Sequence, residues 1–218
     1  MPKLHRVSNR RLAIALLPAL VAGCASKTVL VQLPPQVDMR AFPITGIVEF
    51  VANADETIAQ RATRQFQESV QHAQPGTRFI ELGTRDQVLA AVDARELDAQ
   101  AVRKIGQKFG VAALVLGEVT YADPKIEVVG FDPAKLQGAV KAELKGDMSG
   151  RLLETGSGAS VWSSSSWAKR QLGSVRVSAD GGVSARMSQS SPRDEMIPDM
   201  VYHLTHDFRP TSRRQRIE

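Results

Sequence analysis

The chain has 218 residues with 43% hydrophobic and 23% charged side chains, a formal net charge of +5 and a pI near 9.6. Four of its 28 basic residues lie in the first 23 positions, which hold no acid, so the rest carries 24 bases against 23 acids. That balance, with only 5% aromatic residues and no extended basic face, argues against nucleic-acid recognition.

The chain opens with Lys3, Arg6, Arg10 and Arg11, followed by an apolar run from Leu12 to Gly23. This is the layout of a secretory signal peptide, with an h-region too short to span a bilayer. The run Leu20-Val21-Ala22-Gly23-Cys24 resembles the lipobox of bacterial lipoproteins. Small residues there admit a peptidase between Gly23 and Cys24, and the Cys24 thiol is the acyl acceptor. Cys24 is the chain's one cysteine, and acylation of it accounts for an unpaired thiol in an exported protein. Ala25, rather than Asp, follows it, which by resemblance to enterobacterial sorting implies the outer membrane, with the domain facing the periplasm.

Residues 24–43 read as a lipidated tether, with Pro34, Pro35 and Pro43 favouring extended backbone. Ile44 to Val51 is predicted as a buried strand. A helix follows, with Asn53 and Glu56 as a capping box, Ile58, Ala62, Phe66 and Val70 on one face, and His72 as a cation near its end. Arg78 to Leu82 is a second strand. Thr84 and Gln87 cap a short helix bearing Val88, Leu89 and Val92. Ala101, Val102, Ile105 and Phe109 belong to another, closed by Gly110. Val111 to Val119 is a continuous apolar run, predicted as a central strand buried on both faces.

Asp123-Pro124 and Asp132-Pro133 then mark breaks. Val140, Ala142, Leu144 and Met148 alternate with charged residues as a half-buried antiparallel strand requires. Ala159 to Trp167 is the returning strand after Thr155-Gly156-Ser157-Gly158. Val175 to Ala179 and Val183 to Met187 flank Asp180-Gly181-Gly182 as a hairpin. Ser191-Pro192 opens a final helix with Ile197, Val201, Leu204 and Phe208 on its apolar face, and Pro198 either kinks it or marks its start. The predicted order is β-α-β-α-α-β-β-β, a hairpin, then α. That order gives an α+β class, a single domain over 44–208 with a mostly antiparallel sheet and helices on one face, and a basic C-terminal tail at 209–218.

Three stretches carry a family resemblance. They are Ile105-Gly106-Gln107-Lys108-Phe109-Gly110 running into Ala113 to Val119, Gly150 to Gly156 leading to Ala159-Ser160-Val161-Trp162-Ser163, and the C-terminal helix. Together they resemble the outer-membrane lipoprotein family of the curli secretion channel, a fold shared with the N-terminal domain of the Tol-system propeller protein. The resemblance implies a non-enzymatic envelope role, with envelope proteins as partners and a tendency to homo-oligomers. Channel-forming members give membrane-spanning hairpins to a shared barrel; the matching segments here are 123–150 and 163–190.

His203 and His206 with Asp207 are the one metal-like constellation, although i, i+4 spacing with a nearby Glu is the stronger pattern. They are read as a surface pair, and no metal or cofactor is assigned. Gly156-Ser157-Gly158 lacks the spacing of a nucleophile elbow, and no catalytic residue is assigned. The sequence leaves two principal readings: a lipid-anchored interaction module, or an oligomeric secretion channel component.

Overall fold

The structure is a computed structural model that describes residues 28–132, 137–177, 183–187 and 191–216. It divides into two units, one holding residues 28–31 and 213–216 and the other residues 32–212. The first unit is built on strands β1 (Thr28–Leu33) and β10 (Thr211–Arg216), which pair in a two-stranded sheet. Both strands lie where the sequence predicts a tether and a tail.

The second unit is organised around one mixed sheet. Its strands are β2 (Thr45–Ile47), β3 (Val51–Ala52), β4 (Phe79–Glu81), β5 (Ala113–Tyr121), β6 (Lys125–Asp132), β7 (Gln137–Glu154), β8 (Ser160–Val177) and β9 (Val183–Met187). The order is β4-β2-β5-β7-β8-β9, with β3 added to β5 and β6 to β7. β2 pairs in parallel with β4 and β5, and β3 with β5. All pairings of β5, β6, β8 and β9 through β7 and β8 are antiparallel.

Among the described residues four helices pack on this sheet: α1 (Glu56–Ala73), α2 (Arg85–Ala91), α3 (Ala99–Phe109) and α4 (Pro192–Leu204). The α+β class and the largely antiparallel sheet agree with the sequence reading, but the helices cover both faces rather than one. Successive residues of β5 point to opposite sides. Ala113, Val115 and Val119 join the core under α1 and α4, whereas Leu114 and Leu116 join a second core with Val88, Val102 and Ile105 of α2 and α3. A strand apolar on both sides needs cover on both, and β5 receives it.

In the larger core, Phe66 of α1 meets Phe50, Trp162 and Phe208 at ring-centroid distances of 5.5, 6.2 and 5.9 Å. The predicted face of α1 (Ile58, Ala62, Phe66, Val70) is wholly buried. Its cap is Asp55, whose side chain accepts from Ile58 N, rather than Asn53. Asn53 is used elsewhere, pairing with Tyr121 N and O at 2.8 and 2.9 Å. The predicted strand over 44–51 is broken into β2 and β3, with Phe50 lying over Gly117 of β5 and its N–H donating to Thr63 Oγ1 at 2.8 Å. β6 occupies a stretch that the flanking Asp-Pro pairs mark only as breaks. Pro198 lies inside α4 and Pro192 in its first turn.

Candidate functional site

β7 and β8 are each 18 residues long, about 60 Å of strand. α4 packs across them, but its 13 residues cover only about 20 Å. The apolar stripe on β7 therefore runs out from under its helix. Leu152, Met148 and Leu144 are core residues. Ala142 and Val140, two and four residues further on, share their face by strand alternation, yet Val140 is exposed. β6 widens the stripe. Register sets Ile126 opposite Ala142 and Val128 opposite Val140, and these two side chains are 70% and 66% exposed. On β8, Gly173 and Val175 are level with Ala142 and Val140, after a register shift that begins next to Ala142.

The opposite face of the same strands is charged. Lys125 and Glu127 pair at 2.7 Å and Lys169 and Glu143 at 2.9 Å, with Lys141 in register with Glu127. The hydrogen bond from Lys125 holds the Glu127 carboxyl below its ordinary value. One face thus sheds water readily and the other is well solvated. An exposed apolar patch continuous with a core is the kind of surface that docks a partner.

The sequence-predicted site residues fall as follows. Gly23 and Cys24 lie outside the described residues. His203 sits in the last turn of α4, whereas His206 opens a separate 3-10 turn over His206–Phe208. The two histidines therefore do not occupy successive turns of one helix. His203 meets the Tyr202 ring edge-on at 5.4 Å. His206 is 3.7 Å from Asp207, but the other oxygen of Asp207 accepts from Trp162 Nε1 at 3.0 Å, tying this turn to β8. Among the described residues, no group of three or more His, Cys, Asp or Glu side chains could hold a metal ion. Within the described residues both predicted hairpin segments hold antiparallel pairs, β6 with β7 and β8 with β9, and β7–β8 pairing joins them. The predicted turn at Asp180-Gly181-Gly182 lies outside the described residues.

The family-like motifs have a packing explanation. A Cβ on Gly106 would lie 2.4 Å from Thr155 Cβ, so α3 and the turn after β7 touch without a side chain between them. Thr155 donates from Oγ1 to Val111 O at 2.6 Å and from N to Ala112 O at 3.0 Å. Gly110 adopts the left-handed conformation (φ 66°) that ends α3. These residues hold α3 on the sheet.

Sequence reasoning missed two polar ties. Gln74, at the end of α1, donates to Val37 O at 2.6 Å and Phe208 O at 2.9 Å and accepts from Met39 N at 2.8 Å. Arg209 lies over the Tyr202 ring at 4.0 Å and donates to Thr205 Oγ1 at 3.0 Å and Ser69 Oγ at 3.2 Å. The Gln74 contacts and the Arg209–Ser69 contact join segments distant in the chain and have no local sequence signal. Arg209, the first residue of the predicted basic tail, is thus tied to α1 and the end of α4.

No protein-family model matches the chain, and no curated protein matches it. Among solved structures it is similar to a PelC dodecamer from Paraburkholderia phytofirmans (9% identity, TM-score 0.40, covering 84% of this chain and 98% of that one). It is also similar to a lipoprotein from Neisseria meningitidis (16%, 0.35, 59% and 81%). A third is the LpoB C-terminal domain from Salmonella enterica (10%, 0.33, 63% and 84%).

Proposed function

We propose that this chain is a bacterial envelope lipoprotein. Residues 1–23 direct export, cleavage falls between Gly23 and Cys24, and acylated Cys24 holds the domain at the outer membrane, facing the periplasm. The observation that carries this reading is the register of three sequence features: a basic n-region, a short apolar h-region, and Leu20 to Cys24 placed directly after it. The domain acts as a non-enzymatic module that takes an envelope protein on the apolar face of β6 and β7. Supporting that role, Ile126, Val128 and Val140 prolong a core stripe yet remain open to solvent. A photo-crosslinking side chain at Val128 should capture a discrete partner in cells, whereas one at Glu127, on the charged face, should not. Equal capture at both positions would contradict this use of the face.

A second reading is a channel component, and one observation favours it: β6, β7, β8 and β9 form a run of antiparallel strands, the described part of which alternates apolar and charged faces. A spanning strand needs about 9–11 residues with an apolar outer face, and Ile126 with Val128 supplies only a short piece of one. Voltage-dependent conductance of the purified protein in liposomes would select this reading over the adaptor.

A further inference from the structure

The ribbon formed by β1 and β10 has a composition unlike that of the larger unit. Within the small unit, β10 contributes Arg213, Arg214 and Arg216, all exposed, and β1 contributes Val29 and Leu30, 42% and 68% exposed. Residues 24–33 and 209–217 hold no acid, Lys27 adds another base, and Glu218 is the single acidic residue nearby. Alternation places Arg213 on one face of the ribbon and Arg214 with Arg216 on the other. The ribbon is therefore basic on both sides, and its other strand carries exposed apolar side chains.

Its position along the chain gives this composition a use. Only residues 25–27 separate Cys24 from Thr28, so β1 begins at most about 14 Å from the acyl-bearing residue. Pairing with β1 then brings β10, nearly two hundred positions later in the chain, to the same place. Resting on the Cys24 anchor proposed above, we propose that the β1–β10 ribbon docks on the anionic lipid surface into which Cys24 is inserted. Arg214 and Arg216 share one face and meet lipid phosphates, and Arg213 on the other face lies within about 10 Å, a Debye length, of the same surface. Whichever of Val29 and Leu30 shares the lipid-facing side enters the headgroup boundary. Acyl chains alone hold a chain to a bilayer without regard to headgroup charge; a basic ribbon at the anchor adds a preference for anionic lipid. Each Arg near an anionic surface strengthens binding about fivefold, and three together about a hundredfold.

The test uses the full chain carrying Cys24→Ala, so that acylation makes no contribution and the N-terminal segment is the same in every comparison. Binding to vesicles of pure phosphatidylglycerol and pure phosphatidylcholine is measured at low and high salt. Adding Arg213→Gln, Arg214→Gln and Arg216→Gln together should weaken binding to phosphatidylglycerol about a hundredfold at low salt and leave phosphatidylcholine binding unchanged. The three corresponding Lys substitutions should retain most of the binding, since charge is what acts. Replacing the exposed Arg85, Arg95 and Lys104 by Gln removes the same charge elsewhere and should change binding only a few-fold. Equal losses in the two Gln triples, or no loss in the ribbon triple, would overturn the proposal. Because these chains carry no acyl group, the vesicle result stands apart from the anchor: an unacylated Cys24 in the native protein would sink the anchor and leave the ribbon's lipid selectivity in place.

Discussion

Replacement of Gly106 by Ala tests how α3 is seated. The added Cβ would lie 2.4 Å from Thr155 Cβ and 2.6 Å from its Oγ1, against about 3.5–4.0 Å for an unstrained contact. Thr155 has little room to yield, being buried and bonded to Val111 O and Ala112 O. Overpacking of this kind costs about 1–3 kcal/mol, and disturbing a buried hydrogen bond adds about 1 kcal/mol. Against this, exchanging Gly for Ala inside a helix contributes about 1 kcal/mol in favour. The expected net effect is a destabilisation of about 2 kcal/mol, read as a lower denaturation midpoint at unchanged m-value. Thr155→Gly in the same chain should return part of that loss in a double-mutant cycle. The sign decides the matter: a Gly106→Ala chain that is unchanged, or more stable by the helix-propensity gain, would refute the close approach. Gly110→Ala serves as a contrast, because an added Cβ there would meet nothing within 4 Å and only the left-handed backbone, about 1 kcal/mol, opposes it.

Gln74→Ala removes three hydrogen bonds linking 37–39, α1 and Phe208 and should cost about 3 kcal/mol in the same assay; a loss below about 0.5 kcal/mol would show that the tie is dispensable. Burial pushes the Tyr121 phenol from 10.0 up to about 12, with Asp194 contributing in the same direction. The unfolded chain therefore loses this proton first, and stability should fall as pH rises from about 10 to about 12. Tyr121→Phe should flatten that segment of the stability curve and remove the late tyrosinate absorbance; an unchanged slope would contradict the assignment. Val128→Lys, on an open strand face, should alter stability by no more than about 0.5 kcal/mol while abolishing partner capture at neighbouring positions. Retained capture would place the docking surface elsewhere.

What the sequence made legible was local periodicity and its punctuation. The 3.6-residue stripe of α1, the reciprocal Thr84–Gln87 cap and Gly110 all act within a few residues, and each is found where predicted. Cover on both faces of β5 is also implicit in the alternation of Ala113 and Val115 with Leu114 and Leu116, although the order of elements alone suggests helices on one side. Features set by distant pairing were not legible. β10 reads as Thr-Ser-Arg-Arg-Gln-Arg, with no apolar alternation, and is a strand only because β1 supplies its partner. Asn53 has the spacing of a cap, but Tyr121 claims its amide. β6 is hidden between two Asp-Pro breaks, and with it Ile126 and Val128, the most exposed part of the candidate docking face.

The proposed envelope role depends on acylation of Cys24, which the mass of the mature N-terminal peptide reports. Cells fed a labelled palmitate analogue should yield a peptide that begins at Cys24 and carries acyl chains, and Cys24→Ala should remove the label altogether. Label that persists in Cys24→Ala, or an N-terminal peptide beginning at Cys24 with a free thiol and amine, would rule out a lipid anchor at Cys24.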